Sequence, residues 1–260
     1  MIELCWPSSA REQMKKIGIV GGVAWPSTVD YYAEICRRSE QRHLRNHFPG
    51  PPSTPEMTIE SLNLSKTVSY LGVDGDEESW SQFDEYHRAA LRRLESCGAD
   101  FALMASNTPH HRYETIVRGV GIPVIDMFEV VAKESARIGA MQVVILGTAL
   151  TMGSQRFHDA FARHGITAAG PEDETARSMT IQLIADLQRG KLEGAADLGM
   201  IAKLATEQQI GGRPVVCLAC TELPLAFPHR KAFPWFEADG ILYINTTIVH
   251  AGAAFDFAVE

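Results

Sequence analysis

Short apolar runs dominated by β-favouring residues alternate along this chain with longer stretches whose apolar positions recur every three or four residues. The runs are Lys16 to Gly22, Met57 to Leu62, Phe101 to Ala105, Ile122 to Ile125, Gln142 to Leu146, Pro214 to Cys220 and Ile241 to Asn245. They are short and mostly bounded by Gly, Pro, Asn or Ser, which predicts buried strands. Between them the spacing predicts helices. One opens at Pro26-Ser27-Thr28 with Val29, Tyr32, Ile35 and Cys36 among its apolar positions, and one covers about Glu77 to Ser96 with Trp80, Phe83, His87, Ala90, Leu91 and Leu94. Further helices are expected after His110, from Met127 to about Ile138, over Gln155 to Arg163 and Glu174 to Arg189, near Met200 to Gln209, and from Thr247 to Val259. Asn46 to Pro55, rich in Pro and Gly, reads as a surface loop.

Strand and helix alternate throughout, so the expected fold class is α/β, with parallel sheets flanked by helices. Gln142 to Leu146 followed by Gly147-Thr148 looks like a second version of the opening strand and glycine turn, as if the chain restarts. The expectation is two similar domains: 14–127 plus about 237–260, the closing strand and helix returning to the first half, and 128–236. In open α/β sheets ligands bind at the carboxyl edge, and two strands end there in the same manner. One delivers Cys220 in PVVCLACTELP, followed by Thr221-Glu222; the other delivers Ser106-Asn107-Thr108-Pro109-His110. A single site in the cleft between the halves follows.

Composition narrows the partners. The chain of 260 residues is 45% hydrophobic and 22% charged, and no apolar run approaches the ~18 residues that span a bilayer. A net charge of −8 without a basic stripe argues against nucleic acid, leaving a small-molecule ligand. Met1 to Lys16 lacks the features of a secretory signal and reads as a loose leader, so a cytoplasmic protein is expected. Five scattered cysteines suggest reduced thiols rather than a disulfide framework. Cys217 and Cys220 have redox or metal spacing, but strand alternation should send them to opposite faces, and no metal is expected.

Two other chemistries can be weighed on the residues. Gly18, Gly21 and Gly22 do not meet the G-x-G-x-x-G dinucleotide fingerprint, and the next strand ends at Asn63 rather than at an acidic ribose ligand. Their ordinary reading is a tight turn. Ser106 with His110 could form a hydrolase dyad, but the chain has no G-x-S-x-G elbow there.

KIGIVGGVAWPSTVDYY, SNTPHH, ILGTALTM, CLACTELP and INTTIVHA, in this order, resemble the signature segments of the cofactor-independent aspartate/glutamate racemases. The resemblance runs from about Lys16 onward, and its most specific element is CTEL at Cys220. It implies two facing α/β domains, each supplying one acid/base residue to flank the α-carbon of an amino acid, with no cofactor and commonly as a homodimer. Thiols suit that task because a pKa of about 8.5 can be drawn towards neutrality by helix N-termini and neighbours, so a partly ionised Cys220 is expected. Where the family has its first catalytic cysteine, this chain has Ser106, a far weaker acid. The resemblance therefore implies a racemase biased towards L substrates, with Cys220 and Ser106 as the catalytic residues. The alternatives are a single-cysteine decarboxylase or isomerase of related acids, and an inactive amino-acid or dicarboxylate-binding homologue. Asn107, Thr108 and Thr221 are expected to bind the carboxylate, and Glu222 the amine or a histidine. Gly22, Asn63, Thr148, His110 and His250 complete the substrate-binding set, with Arg177 for a side-chain carboxylate. Asn245 stands where the family usually has Asp.

Overall fold

The computed structural model describes residues 14–48, 50–191, 195–207 and 212–260, so most of the expected leader, the tip of the 46–55 loop and Gln208-Gln209 lie outside the described residues. The first sheet is built from β1 (Ile17–Gly21), β2 (Met57–Ser61), β3 (Phe101–Met104) and β4 (Val124–Ile125), in the order β2-β1-β3-β4 with every pair parallel. β1 and β3 are buried along their whole length, which is why they read as unbroken apolar runs. Its helices are α1 (Trp25–Arg45), α2 (Leu64–Ser69), α3 (Ser81–Ser96), α4 (Tyr113–Ile116) and α5 (Met127–Arg137).

The second sheet contains β5 (Gln142–Gly147), β6 (Thr167–Ala169), β7 (Val215–Ala219), β8 (Trp235–Ala238) and β9 (Ile241–Asn245), in the order β6-β5-β7-β9-β8. All its pairs are parallel except β8 with β9. Its helices are α6 (Ala149–Met152), α7 (Gln155–Arg163), α8 (Glu174–Gln188), α9 (Ala195–Thr206) and α10 (Thr246–Ala258). The expected α/β class with two helix-flanked parallel sheets is the fold observed.

The halves share a core. Ile17, Ile19, Phe101 and Leu103 of the first sheet belong to one cluster with Val143, Ile145, Cys217 and Ile244 of the second, filled by Tyr31 and Ile35 of α1, Phe128 of α5, Phe157 of α7 and Phe255 of α10. Phe128 stacks on Phe157 with ring centroids 4.0 Å apart. α3 covers the other face of the first sheet through Phe83, Leu91 and Leu94. α8 and α9 cover that of the second through Leu183, Leu187, Leu198 and Ile201.

Four local outcomes differ from the sequence pattern. Val29 and Tyr32 are 56% and 49% exposed, whereas α1 buries Ser27, Tyr31, Glu34, Ile35 and Ser39. Glu34 is tolerated inside because Arg37 and Arg38 both bind its carboxylate. β9 pairs with β7 in the second sheet, so only α10 of the terminal segment packs on α1. β4 shrinks to two residues, and the segment after His110 is a 3-10 turn over 108–112 followed by the single turn of α4. Finally, β6, β8, α2 and α6 are too short for periodicity to reveal. None of the described helices is long and apolar enough to cross a membrane.

Candidate active site

Parallel pairing puts Gly22, Asn63 and Ser106-Asn107-Thr108 beyond one edge of the first sheet, and Thr148, Cys220-Thr221-Glu222 and Thr246 beyond one edge of the second. The two edges are tied together. Asn107 Nδ2 donates to Thr246 Oγ1 at 3.2 Å, and Thr246 Oγ1 donates to the Leu218 carbonyl at 3.0 Å. The bridge joins residues 139 apart in sequence, and it ends next to Ser106 on one side and two residues before Cys220 on the other. The bridge is a physical link between the two strand ends.

At the second wall, Cys220 is 7% exposed and its thiol donates to Glu222 Oε2 at 2.9 Å. Thr221 Oγ1 donates to the same oxygen at 3.2 Å, and Gln188 Nε2 at the end of α8 donates to Oε1 at 3.4 Å. Burial pushes the thiol well above its ordinary pKa, and the adjacent Glu222 carboxylate raises it further; the amides of Thr221 and Glu222 pull the other way and are outweighed. The partly ionised Cys220 expected from the sequence is thus a neutral thiol here. The segment after it offers no counterweight: 223–226 is one 3-10 turn and carries no long helix dipole. Cys217 lies in the shared core while Cys220 belongs to the outer cluster, the opposite-face placement that strand alternation predicts.

At the first wall, Ser106 and Thr108 are half-buried, and Asn107 is 4% exposed with its Oδ1 lacking a partner. Gly22 adopts φ of 84°, and a Cβ there would stand 2.3 Å from the Leu62 carbonyl, so close packing against the chain after β2 accounts for the glycine. Asn63 caps α2 by accepting from the Lys66 amide, and Thr148 caps α6 by accepting from the Thr151 amide.

Other expected residues are placed away from the thiol or are fully engaged. His110 has no exposed surface; its Nε2 faces the Met104 carbonyl and its Nδ1 faces both the Met127 amide and Asp126 Oδ1, each at 3.3 Å. His250 is equally buried between the Tyr31 hydroxyl, 2.7 Å from Nδ1, and the Ile125 carbonyl, 3.1 Å from Nε2. Burial lowers its pKa to about 3. Both rings therefore spend their nitrogens on the protein, as packing histidines do. Arg177 donates to the Pro171 carbonyl near the start of α8. Gln188, which reaches Glu222, is about 16 Å further along that helix at 1.5 Å per residue. The cations near Gln188 are Arg189 and Lys191, both paired with Asp186.

Sequence reasoning missed Thr246 and Gln188. TTIVHA marked the first as part of a motif without giving it a partner, and nothing local marks the second. It also missed a cavity of about 280 Å³ lined by Asp74, His111, Ala149, Leu150 and Gly153, where the 108–112 turn meets α6. Among the described residues no group of three or more His, Cys, Asp or Glu side chains converges as metal ligands would.

Comparison with known proteins gives one family. Residues 20–254 match the family model for Asp/Glu/hydantoin racemases. The structure is similar to that of an aspartate racemase homologue from Pyrococcus horikoshii, with 27% identity and a TM-score of 0.72 over 95% of this chain and 100% of that one. It is also similar to the Picrophilus torridus aspartate racemase (18% identity, TM-score 0.66, 94% of each chain). A third likeness is to the glutamate racemase of Campylobacter jejuni (16% identity, TM-score 0.61, 93% of this chain and 85% of that one).

Proposed function

The chain belongs to the Asp/Glu/hydantoin racemase family, and from that premise we propose that it is a cofactor-independent amino-acid racemase acting on aspartate or glutamate. Its substrate lies in the cleft between the halves, with Cys220 on the L face and Ser106 replacing the second thiol. The observation that carries this reading is the Asn107–Thr246–Leu218 bridge, which holds the Ser106 and Cys220 segments against one another.

The proton accounting starts from the neutral thiol. Glu222 accepts the Cys220 proton through the existing hydrogen bond, and the resulting thiolate takes the α-hydrogen of the L substrate, leaving a planar carbanion. The amide and hydroxyl of Thr108 stabilise the carboxylate end of that carbanion, joined by the Thr221 hydroxyl once Glu222 is protonated and no longer holds its hydrogen. Reprotonation on the opposite face comes from the Ser106 side, through its hydroxyl or a water bound to it, and after release Glu222 gives its proton to solvent while solvent restores the one lost at Ser106. A serine hydroxyl is a poor base, so the reverse entry from the D side is slow, and exchange at L substrates outpaces full inversion. In this reading the protein is a cytoplasmic homodimer. Trp25, Val29 and Tyr32 recur on one side of α1 at 72%, 56% and 49% exposure, an apolar stripe that a second copy would cover.

The neutral thiol also favours a second reading. A decarboxylase of malonate-like acids needs only one acid, and Cys220 would protonate the carbanion left by loss of carbon dioxide. Separate incubation of L- and D-aspartate and L- and D-glutamate in deuterated water decides between them. The racemase reading expects α-deuterium incorporation from an L substrate, little from D, and none with Cys220→Ala. Carbon dioxide release from a malonate without exchange in any amino acid would replace it by the decarboxylase. Ligand binding with neither reaction would leave an inactive homologue.

A further inference from the structure

The cavity where the 108–112 turn meets α6 is lined by Asp74, His111, Ala149, Leu150 and Gly153, none of which stands among the residues of the two catalytic walls. A buried serine fixes its donor. Ser154 has no exposed surface, makes no cap bond to α7, and holds its Oγ 3.0 Å from His111 Nδ1. Among the described residues that hydroxyl meets no other acceptor, so it donates to Nδ1. Burial pushes the His111 pKa down, which keeps the ring neutral at pH 7, and with Nδ1 accepting the proton resides on Nε2. Nε2–H has no acceptor among the described residues. Asp74 is exposed and its charge reaches the ring, yet no ion pair joins the two. The arginines whose charge also reaches His111 are engaged elsewhere, Arg112 by Glu77 and Asp84, and Arg156 by Asp126 and Glu114. The cavity therefore presents one unneutralised carboxylate and one free ring N–H on a wall otherwise made of Ala149, Leu150 and Gly153. Its volume of about 280 Å³ is just under the ~300 Å³ at which pockets for drug-sized molecules begin, so it suits a ligand of few atoms.

We infer that this cavity is a second ligand site, separate from the Ser106–Cys220 cleft, for a small zwitterion without an acidic side chain. The ligand's ammonium pairs with Asp74, its carboxylate accepts from His111 Nε2–H, and its short carbon body lies on Ala149 and Leu150. A lone carboxylate would meet Asp74 as repulsion, and a lone amine would leave the ring N–H without an acceptor. Ser154 is a positioning residue, since it decides which ring nitrogen carries the proton without touching the ligand. The site is independent of the chemistry proposed at Cys220.

The test is NMR titration at pH 7 of the full chain with isotopically labelled histidine rings. The probes are glycine and β-alanine, zwitterions of two lengths, and n-propylamine and propionate, which each keep one charge. The His111 ring, assigned by the signal missing from His111→Phe, should show its proton on Nε2 before any ligand is added. At least one zwitterion should shift that ring saturably and bind about fivefold tighter than either single-charge probe, the upper end of what one exposed ion pair supplies. Asp74→Asn should weaken that zwitterion by about the same factor and remove its advantage over propionate. Ala149→Phe fills the cavity from an exposed position and should abolish the shift. A His111 ring protonated on Nδ1, or zwitterions that bind no better than propylamine, would overturn the inference. A shift that persists in Ala149→Phe would also overturn it, by placing the probe in the Ser106–Cys220 cleft. Should Ala149→Phe fail to fold, Asp74→Asn, a change at an exposed side chain, decides. Absence of deuterium exchange in aspartate and glutamate would sink the proposed function and leave this site standing, because the titration reads no turnover.

Discussion

Lowering the pH from 7 to 5 should remove about 4 kcal/mol of stability through two fully buried rings, and half-buried His111, also lowered by burial, adds to the loss in the same direction. His250 and His87 have no exposed surface, and burial lowers their pKa values from 6.5 to about 3 and about 4. On acidification the unfolded chain therefore takes up these protons first. The stability is fully present above the unfolded value and is lost as the pH falls through the window between 6.5 and the folded value. At pH 5, about 1.5 below the unfolded value, each ring costs about 2 kcal/mol at 1.36 kcal/mol per pH unit. Against a typical total of about 5–15 kcal/mol this is a large share. Asp126, whose carboxyl is held down by His110 and Arg156 against the cost of burial, contributes the same sign of dependence only below its ordinary 3.8, outside this interval. The assay is urea unfolding at pH 7 and pH 5 at fixed ionic strength and protein concentration. Replacing His87 with Leu removes one ring, so the loss between the two pH values should shrink by about 2 kcal/mol whatever the substitution does to stability at pH 7. A wild-type loss under about 1 kcal/mol, or an undiminished loss in His87→Leu, would refute the reasoning.

Two further outcomes follow from single contacts. Glu222→Gln removes the charge beside Cys220, so the pH at which that thiol becomes alkylatable by iodoacetamide should move down. Peptide mass spectrometry with the exposed Cys97 as internal reference measures it, and an unmoved profile would mean that Glu222 does not govern the thiol. Gly22→Ala places a Cβ 2.3 Å from a backbone oxygen at φ of 84° and should cost about 3 kcal/mol or more, while Gly98→Ala, at φ of 75° in open space, should cost about 1 kcal/mol. Equal losses in thermal or urea melts would show that close approach to Leu62 is not what requires the glycine.

What was legible in the sequence depended on whether the deciding interaction was local. β1, β3, β7 and β9 are buried on both faces, so their composition alone announces them. The face of α1 was misread because the cue was chemical type: Val29 and Tyr32 look like core, and Glu34 does not until Arg37 and Arg38 are seen to bind it. The same inversion affects the site. His110 and His250 are the residue types that catalysis favours, yet their nitrogens are consumed by Met104, Met127, Tyr31 and Ile125, contacts set by the tertiary fold. Thr246, unremarkable in a helix start, meets the Asn107 amide nitrogen across 139 residues. The motifs located the strand ends because those ends are properties of short segments. The state of each group at those ends is a property of its surroundings: burial raises the thiol and Glu222 beside it raises it further, and the Asn107 amide meets Thr246 through its nitrogen while Thr246 gives its hydrogen to Leu218. Substitutions that keep every motif residue but move a partner, Gln188 among them, therefore test whether the partners rather than the motif residues set the state of this site.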